Sequence, residues 1–424
     1  MSEAAPRLER TIGLGGSALL SFNGAVGAAI FALPATLLVD WGPLSPWLFL
    51  VVGVAALLVV VPFTRTAAAF SESGGPATYG LVYGRLGAFQ LGWIYYVART
   101  AGFAANTNVF ADYLGRWLPS AKDGVGRAAT IISLCAFLAL LNVLGMKRAI
   151  RVLGGFTVLK ALPLIVAGIA AAILFWPPPT PVAPREIGAV ETGFLIVFYA
   201  FVGFENAVVP TGETRSPAAT LPRAIVLTTA LTALLYFVVQ FGFVSAFNDA
   251  PPESAAPLID LGSSVAGQFG AVVLTLAALC SLLGNLLGVS ASTPRVTYAM
   301  ADRGDLPRWF AKINRRFESP ANSILFLAVI VALLAISGSF VWLAIVSTLA
   351  RMIIYPVTIA ALPLLPERPR LSIWTWLSGA IGICICVWGA TQADSLAWGT
   401  FAALAGAGLL LYYVSAFRRA RVAQ

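Results

Sequence analysis

Apolar segments long enough to cross a lipid bilayer recur about twelve times along this chain of 424 residues. A membrane-spanning helix needs roughly 20 mostly apolar residues. Only 11% of the residues are charged, whereas soluble domains carry about 25%. The sequence therefore predicts an all-α integral membrane protein. The predicted spans are 15–39, 44–69, 89–117, 126–146, 153–176, 188–212, 222–247, 266–300, 321–338, 340–364, 373–392 and 396–417.

Two of these spans, the first and the sixth, contain glycine and proline in their interior. Gly27 precedes Pro34 by the same step that separates Gly203 from Pro210, and Gly24 lies one turn before Gly27. Glycine weakens a helix and proline removes a backbone donor, so we expect both helices to be broken. Broken backbone inside a bilayer is tolerated where it is buried in protein or lines a cavity. Matched breaks in two halves of a chain predict a substrate site near the bilayer midplane.

The formal charge of +9 would suit a nucleic-acid-binding protein, but its distribution indicates membrane orientation instead. With the N-terminus in the cytoplasm, most Lys and Arg residues fall in cytoplasmic connections and at the two termini. The opposite side carries only Arg116, Lys122, Arg127 and Arg185. This asymmetry follows the positive-inside rule. We expect a multi-pass protein of the cytoplasmic (inner) membrane with both termini inside, and no nucleic-acid partner.

The chain has no histidine, and its four cysteines all lie in predicted spans. Imidazole acid–base chemistry and histidine-ligated metals are therefore excluded. The cysteines are interpreted as small buried apolar residues. We expect no metal, no cofactor and no enzymatic activity. The alternative of a membrane-embedded transferase would need a nucleophile or an acid–base cluster near the interface, and the spans offer little of either.

No connection is long enough to form a soluble domain, so residues 1–424 are predicted to form a single membrane domain. Its halves would be about 15–176 and 188–364, each opening with a broken helix. Five spans per half reverse the orientation of the second half, which predicts a five-plus-five inverted repeat. Two further helices, at about 373–417, would follow it.

Four charged residues lie deep inside predicted spans: Arg99, Lys160, Glu205 and Arg351. Such residues are costly in a bilayer and usually face the protein interior with a partner. Lys160 could occupy the position of a bound Na⁺ beside unwound carbonyls, or exchange a proton. Glu205 could bind a proton, hydrogen-bond the second break or pair with a cation. The alternative for each is a buried contact that fixes helix packing, and the roles of Arg99 and Arg351 stay open.

Four stretches together resemble the amino acid permeases of the amino acid–polyamine–organocation (APC) superfamily. Residues 27–34 resemble the family's G-S/A-G-I-F-x-x-P motif, and residues 73–79 resemble its glycine-rich loop after the second helix. Residues 201–225 resemble the sixth-helix signature, and 295–307 resemble the R-x-x-Y-A-M-A motif after the eighth helix. The resemblance covers nearly the whole chain.

The chain departs from the family pattern at three places. Ala29 replaces the usual second glycine of the first break, and Gly212 replaces the first glutamate of an E-E pair. Asp302 and Arg303 reverse the usual Arg-Asp order. Ala29 matters most, because its methyl group would narrow the pocket and favour small substrates.

The resemblance implies the LeuT-like fold, with helices 1 and 6 broken, and secondary active transport by alternating access. Backbone amides near Gly27, Ala28 and Ala29 would hold the substrate carboxylate, since a helix N-terminus attracts anions. Carbonyls of Ala25, Tyr199 and Val202 would accept from its ammonium group. The predicted substrate-binding residues are Ala25, Gly27, Ala28, Ala29, Ile30, Tyr199, Val202 and Gly203, with Tyr199 also a candidate gate.

Lys160 falls where many Na⁺-independent relatives carry a lysine in the fifth helix, and Glu205 matches an acid implicated in coupling in some relatives. The resemblance therefore implies Na⁺-independent transport of neutral or small amino acids, by proton coupling or exchange. The expected partners are an amino acid, the lipid bilayer and a proton as candidate coupling ion. A polyamine or organic-cation carrier of the same fold is the alternative, and it would need acidic groups in the pocket.

Overall fold

The computed structural model describes residues 12–70, 75–144, 149–176, 188–208, 211, 214–248, 250–314, 317, 319–365 and 372–422. Within these ranges the chain is built of helices and short connections, without a β-strand. The α-helices are α1 (Leu14–Ala25), α2 (Ala29–Trp41), α3 (Ser45–Ala68), α4 (Pro76–Tyr79), α5 (Gly84–Gly115), α6 (Gly124–Val143), α7 (Ala149–Leu174), α8 (Gly188–Tyr199), α9 (Pro217–Phe247), α10 (Pro257–Asp302), α11 (Ala321–Ser337), α12 (Phe340–Ala361), α13 (Ile373–Thr391) and α14 (Ser395–Val422).

Each predicted span coincides with a helix or, for the first and sixth spans, with two helical pieces on either side of a break. Seven helical segments of the described part are long and apolar enough to cross a membrane. Leu159–Leu174, Gly193–Ala207 and Ala321–Ser337 are apolar but shorter. The all-α membrane fold predicted from the sequence is therefore confirmed. The long α5 is less apolar because it carries buried polar residues that face other helices.

The first break separates α1 from α2. Helix α1 ends at Ala25, and Val26 adopts φ −78° and ψ 82°, which with the N–H of Gly27 bonded to Ala25 O at 2.9 Å forms an inverse γ-turn. Helix α2 then begins at Ala29 and continues through Pro34. The expectation that Pro34 contributes to the break is wrong, because the helix resumes a full turn before it.

The second break follows α8. After Tyr199 the chain continues in tight turns, with the N–H of Val202 donating to Tyr199 O at 3.2 Å. Gly203 then turns the backbone with φ +106°, and a 3-10 segment spans Phe204–Ala207. A break at Gly203 is as predicted, whereas Pro210 lies outside the described residues.

The two breaks touch each other through their backbones. A Cβ atom on Gly24 would lie 2.1 Å from the carbonyl oxygen of Gly203, and a Cβ on Gly203 would lie 2.2 Å from that of Gly24. Gly203 also has a positive φ, which residues with side chains rarely adopt. Glycine at both positions is therefore what lets the two interrupted helices meet.

Continuous helices surround the paired breaks. Tyr236 of α9 donates its hydroxyl to Ala25 O at 3.1 Å, and Asn106 of α5 accepts from the N–H of Ala28 at 3.2 Å. Helix α10 bends at Ala266 and Gly267, where the predicted eighth span begins. The breaks thus lie at the centre of the helical bundle, where their unpaired backbone groups can be satisfied by side chains of other helices.

Candidate functional site

A cavity lies between the two breaks and is closed by α5, α10 and α12. Of the predicted substrate-binding residues, Ile30 is the exception: it is fully buried and does not line the cavity, although its backbone N–H lies at the start of α2. Lys160 and Glu205 contact the breaks without lining the cavity. The lining residues are Gly24, Ala25, Gly27, Ala28, Ala29, Arg99, Gly102, Phe103, Asn106, Tyr199, Val202, Gly203, Asn206, Asn285, Val289 and Arg351.

The N-terminus of α2 offers backbone donors to this cavity. The N–H of Gly27 is already bonded to Ala25 O, and that of Ala28 donates to Asn106 Oδ1. Helical geometry leaves the N–H groups of Ala29 and Ile30 without an intrahelical acceptor. Of the three amides predicted for the carboxylate, those of Gly27 and Ala28 are thus already bonded and that of Ala29 is available, with the amide of Ile30 next to it.

The carbonyl oxygens at the breaks differ in how many hydrogen bonds they already accept. Ala25 O accepts from both Gly27 N–H and the Tyr236 hydroxyl, and Tyr199 O accepts from Val202 N–H. No hydrogen bond to Val202 O occurs among the described residues. Val202 O is therefore the most available of the three predicted acceptors for an ammonium group.

Two asparagines join α5 and α10 to the first break. Asn106 Nδ2 donates to Asn285 Oδ1 at 2.6 Å, and Asn285 Nδ2 donates to the carbonyls of Asn23 and Gly24 at 3.1 and 3.0 Å. These bonds satisfy carbonyls at the end of α1 that lack intrahelical partners. The Tyr199 hydroxyl donates to Asn106 Oδ1 at 3.2 Å, which connects the second break to the same pair. Sequence reasoning missed both asparagines, although a primary amide inside an apolar span was a usable signal.

Lys160 lies directly against the first break. Its Nζ donates to Val26 O at 3.0 Å and lies 5.7 Å from the centre of the Phe22 ring, while only 1% of the residue is exposed. The hydroxyl of Ser281, from α10, donates to the same carbonyl at 3.3 Å. The ammonium thus lies against a carbonyl that the break after α1 leaves exposed.

Glu205 is held by an arginine, a tyrosine and the second break itself. Its Oε1 accepts from Arg351 Nε at 2.7 Å and from the Tyr355 hydroxyl at 2.8 Å. Its Oε2 accepts from the N–H of Gly203 at 2.5 Å. Of the three roles left open by the sequence, this geometry combines two, the cation pair and the bond to the loosened backbone. Charge-assisted bonds of this kind stabilise the ionised carboxylate.

Arg99 is buried at the cavity wall and bonded to neutral groups. Its Nε donates to Thr293 Oγ1 at 2.9 Å and its Nη2 to Ser292 Oγ at 2.7 Å, both on α10. Its Nη1 donates to Asn206 Oδ1 at 2.7 Å and to the Tyr95 hydroxyl at 3.0 Å. Arg99 therefore connects α5 and α10 to the segment that follows the second break.

Two facing helix breaks around a polar cavity, inside an all-α membrane domain, define the class of membrane transporters with discontinuous helices. The family model described as "Amino acid permease" matches residues 12–407. The chain therefore belongs to the amino acid permease family, and its members are transporters of the APC superfamily rather than enzymes.

Relatives with curated names agree with this assignment. An uncharacterized transporter of Mycobacterium tuberculosis is 31% identical over 98% of this chain and 93% of its own length. The branched-chain amino acid permease BcaP of Bacillus subtilis is 27% identical over 77% of this chain and 74% of its own. Cationic amino acid transporter 3, mitochondrial, of Arabidopsis thaliana is 25% identical over 73% of this chain and 54% of its own.

Proposed function

We propose that this permease carries α-amino acids across the cytoplasmic membrane by alternating access, independently of Na⁺. The proposal rests on one observation: the same cavity is lined by a backbone donor that suits a carboxylate and by a carbonyl that suits an ammonium group. The amide of Ala29, which lines the cavity at the start of α2, suits a carboxylate, and the carbonyl of Val202 suits an ammonium group. The cavity therefore offers complementary partners to both ends of a zwitterion.

The proposed motion is a rocking of one half of the molecule against the other about this cavity. The halves would be the inverted repeats at about 15–176 and 188–364, with the appended helices at 373–417 outside them. The excess of basic residues in the even-numbered connections supports an orientation with both termini in the cytoplasm.

Lys160 supports Na⁺ independence. Its ammonium already donates to Val26 O, the carbonyl that an unwound helix would otherwise offer to a cation. A bound Na⁺ next to Lys160 would meet a like charge at close range. Coupling would instead run through a proton or through exchange of one amino acid for another.

The alternative of a polyamine carrier is disfavoured by the charges at the cavity. Both oxygens of Glu205 are engaged by Arg351, Tyr355 and Gly203. Arg99 and Arg351 line the cavity, so a polycation would meet two guanidinium groups. Ala29 also lines it with a methyl group, which supports the expectation of a small substrate.

The test is uptake of radiolabelled amino acids into proteoliposomes that contain the purified full-length protein, with empty liposomes as the control. We expect uptake that is equal in Na⁺ and choline buffers and that responds to an imposed pH gradient or to an internal amino acid. A strict Na⁺ requirement would refute the coupling proposal. Absence of uptake for all common amino acids, with putrescine or spermidine transported instead, would refute the substrate proposal.

A further inference from the structure

Charge is unbalanced at the centre of this molecule. Among the described residues, three cations lie deep inside the spans, at Arg99, Lys160 and Arg351, each at most 4% exposed. Glu205 is the carboxylate that lies with them, and it is paired with Arg351. A buried charge is costly unless it is paired and hydrogen-bonded. The cavity wall, which includes both arginines, therefore carries excess positive charge.

Arg99 shows the imbalance most clearly. Four hydrogen bonds hold its guanidinium, and each acceptor is a hydroxyl or an amide oxygen. The ion pairs of the described residues do not include it. Neutral acceptors orient a guanidinium without neutralising it. The charge of Glu205 also acts on Arg99, but that carboxylate is paired with Arg351, so Arg99 is only partly compensated.

Both arginines also have guanidinium N–H groups that make no hydrogen bond to the described residues. A guanidinium has five N–H groups, and those of Arg99 make four bonds to the protein, which leaves one on Nη2. Arg351 donates from Nε to Glu205 and from Nη1 to Ala98 O and Ser347, whereas its Nη2 makes no hydrogen bond to the described residues. Unused guanidinium donors at a cavity wall are suited to a carboxylate, which accepts such bonds in pairs.

We propose that the substrate carries a second carboxylate on its side chain, as aspartate and glutamate do, and that Arg99 receives it. This inference rests on the proposed function: the α-carboxylate lies at the start of α2, and the ammonium group lies at the second break. The side chain then extends toward α5 and α10, where its charge neutralises Arg99. The substrate remains small, in agreement with Ala29, but is acidic rather than neutral.

A binding site at Arg99 would distinguish an acidic side chain from the corresponding amide, although the two are nearly equal in size. Asparagine has the shape of aspartate, but it offers one oxygen acceptor and adds two donors that would face a guanidinium. Lysine would place a cation beside Arg99. A site built around a specific hydrogen-bonding group rejects analogues that lack that group strongly.

The first experiment uses the wild-type protein in proteoliposomes. Uptake of labelled L-aspartate and L-glutamate is compared with that of L-asparagine, L-glutamine and L-lysine, in chloride and in gluconate buffers. We expect the acidic amino acids to be preferred at least about tenfold in both buffers. Uptake of neutral amino acids without competition by aspartate or glutamate would overturn the inference and leave the proposed function standing. A chloride requirement for that neutral uptake would assign the positive charge to an inorganic anion. Failure to transport any amino acid would overturn both.

The second experiment compares Arg99→Gln with Arg65→Gln, a control at an exposed arginine in the last turn of α3. We expect R99Q to lose the preference for aspartate over asparagine by at least about tenfold while keeping asparagine uptake, and R65Q to match the wild type. Equal loss of both substrates in a folded R99Q protein would show that Arg99 only fastens α5 to Asn206, and would overturn the inference. If R99Q does not fold, the wild-type comparison alone decides.

Discussion

The direct contact between the breaks makes Gly203→Ala the most informative substitution in this chain. The new Cβ would lie 2.2 Å from Gly24 O and 2.5 Å from the carbonyl carbon of Gly24, both backbone atoms. Ordinary contacts of a Cβ begin near 3.4 Å, so the two breaks would have to separate by about an ångström. Overpacking of this kind costs about 1–3 kcal/mol.

A second cost arises from the backbone conformation of residue 203. Its φ of +106° lies in a region that alanine adopts only under strain, which costs about 1–3 kcal/mol more. Together these two costs equal a large part of the free energy of unfolding of a typical domain. Gly24→Ala imposes a similar clash without this strain, because residue 24 lies in α1, so it should be the milder change.

The assay is the apparent melting temperature of purified protein in detergent, measured by the loss of its monodisperse chromatographic peak on heating, together with uptake in proteoliposomes. Gly288→Ala is the matched control, because a Cβ at this position in α10 meets nothing within 4 Å. We expect melting temperature and uptake to fall in the order G288A, G24A, G203A, with G288A close to the wild type. Wild-type stability and uptake in G203A would refute the claim that the breaks meet through bare backbone.

Three further substitutions test the contacts around the breaks. Lys160→Ala should reduce uptake at least about tenfold, because Val26 O loses its cation, while thermal stability shows that the fold persists; wild-type rates would assign Lys160 to packing alone. Glu205→Gln should alter the pH profile of uptake and should lower stability, since removing one partner of a buried ion pair costs about 3–5 kcal/mol. Adding Arg351→Met to the same protein should recover part of the lost stability. An unchanged pH profile would argue against any role of Glu205 in protonation. Ala29→Gly should relax the limit on substrate size, measured as competition by leucine against the best small substrate, and an unchanged size preference would show that the methyl group does not restrict the cavity.

The sequence predicted those features that depend on local composition. Twelve apolar segments and two glycine-containing interruptions were enough to place the helices and the breaks. Lys160 lies beside an unwound carbonyl, which was one of the possibilities that the sequence left open, because a deeply buried ammonium needs acceptors and broken backbone supplies them. Pro34 was misjudged, since a proline inside a membrane helix is tolerated where neighbouring groups satisfy the backbone carbonyl that loses its N–H partner.

Features that depend on how distant helices meet were not predictable. Nothing in the sequence states that Glu205 pairs with Arg351 rather than with Arg99, because both arginines lie far from it in the chain. Asn106 and Asn285 are separated by 179 positions and become neighbours only when α5 and α10 pack together. The sequence also could not show that the amides of Gly27 and Ala28 are already bonded within the protein.

The close approach of Gly24 and Gly203 limits which residues of this site can be substituted without harm to the fold. In the proposed site, the groups that would bind the carboxylate and the ammonium common to all amino acids belong to the main chain, which a substitution does not exchange. A substitution at Gly24 or Gly203 would disturb the contact between the two breaks before it could adjust selectivity. We therefore expect substrate preference to change through side chains that face the cavity, such as Ala29 of α2 and residues of α5, α10 and α12, while the proposed main-chain contacts to the substrate stay the same.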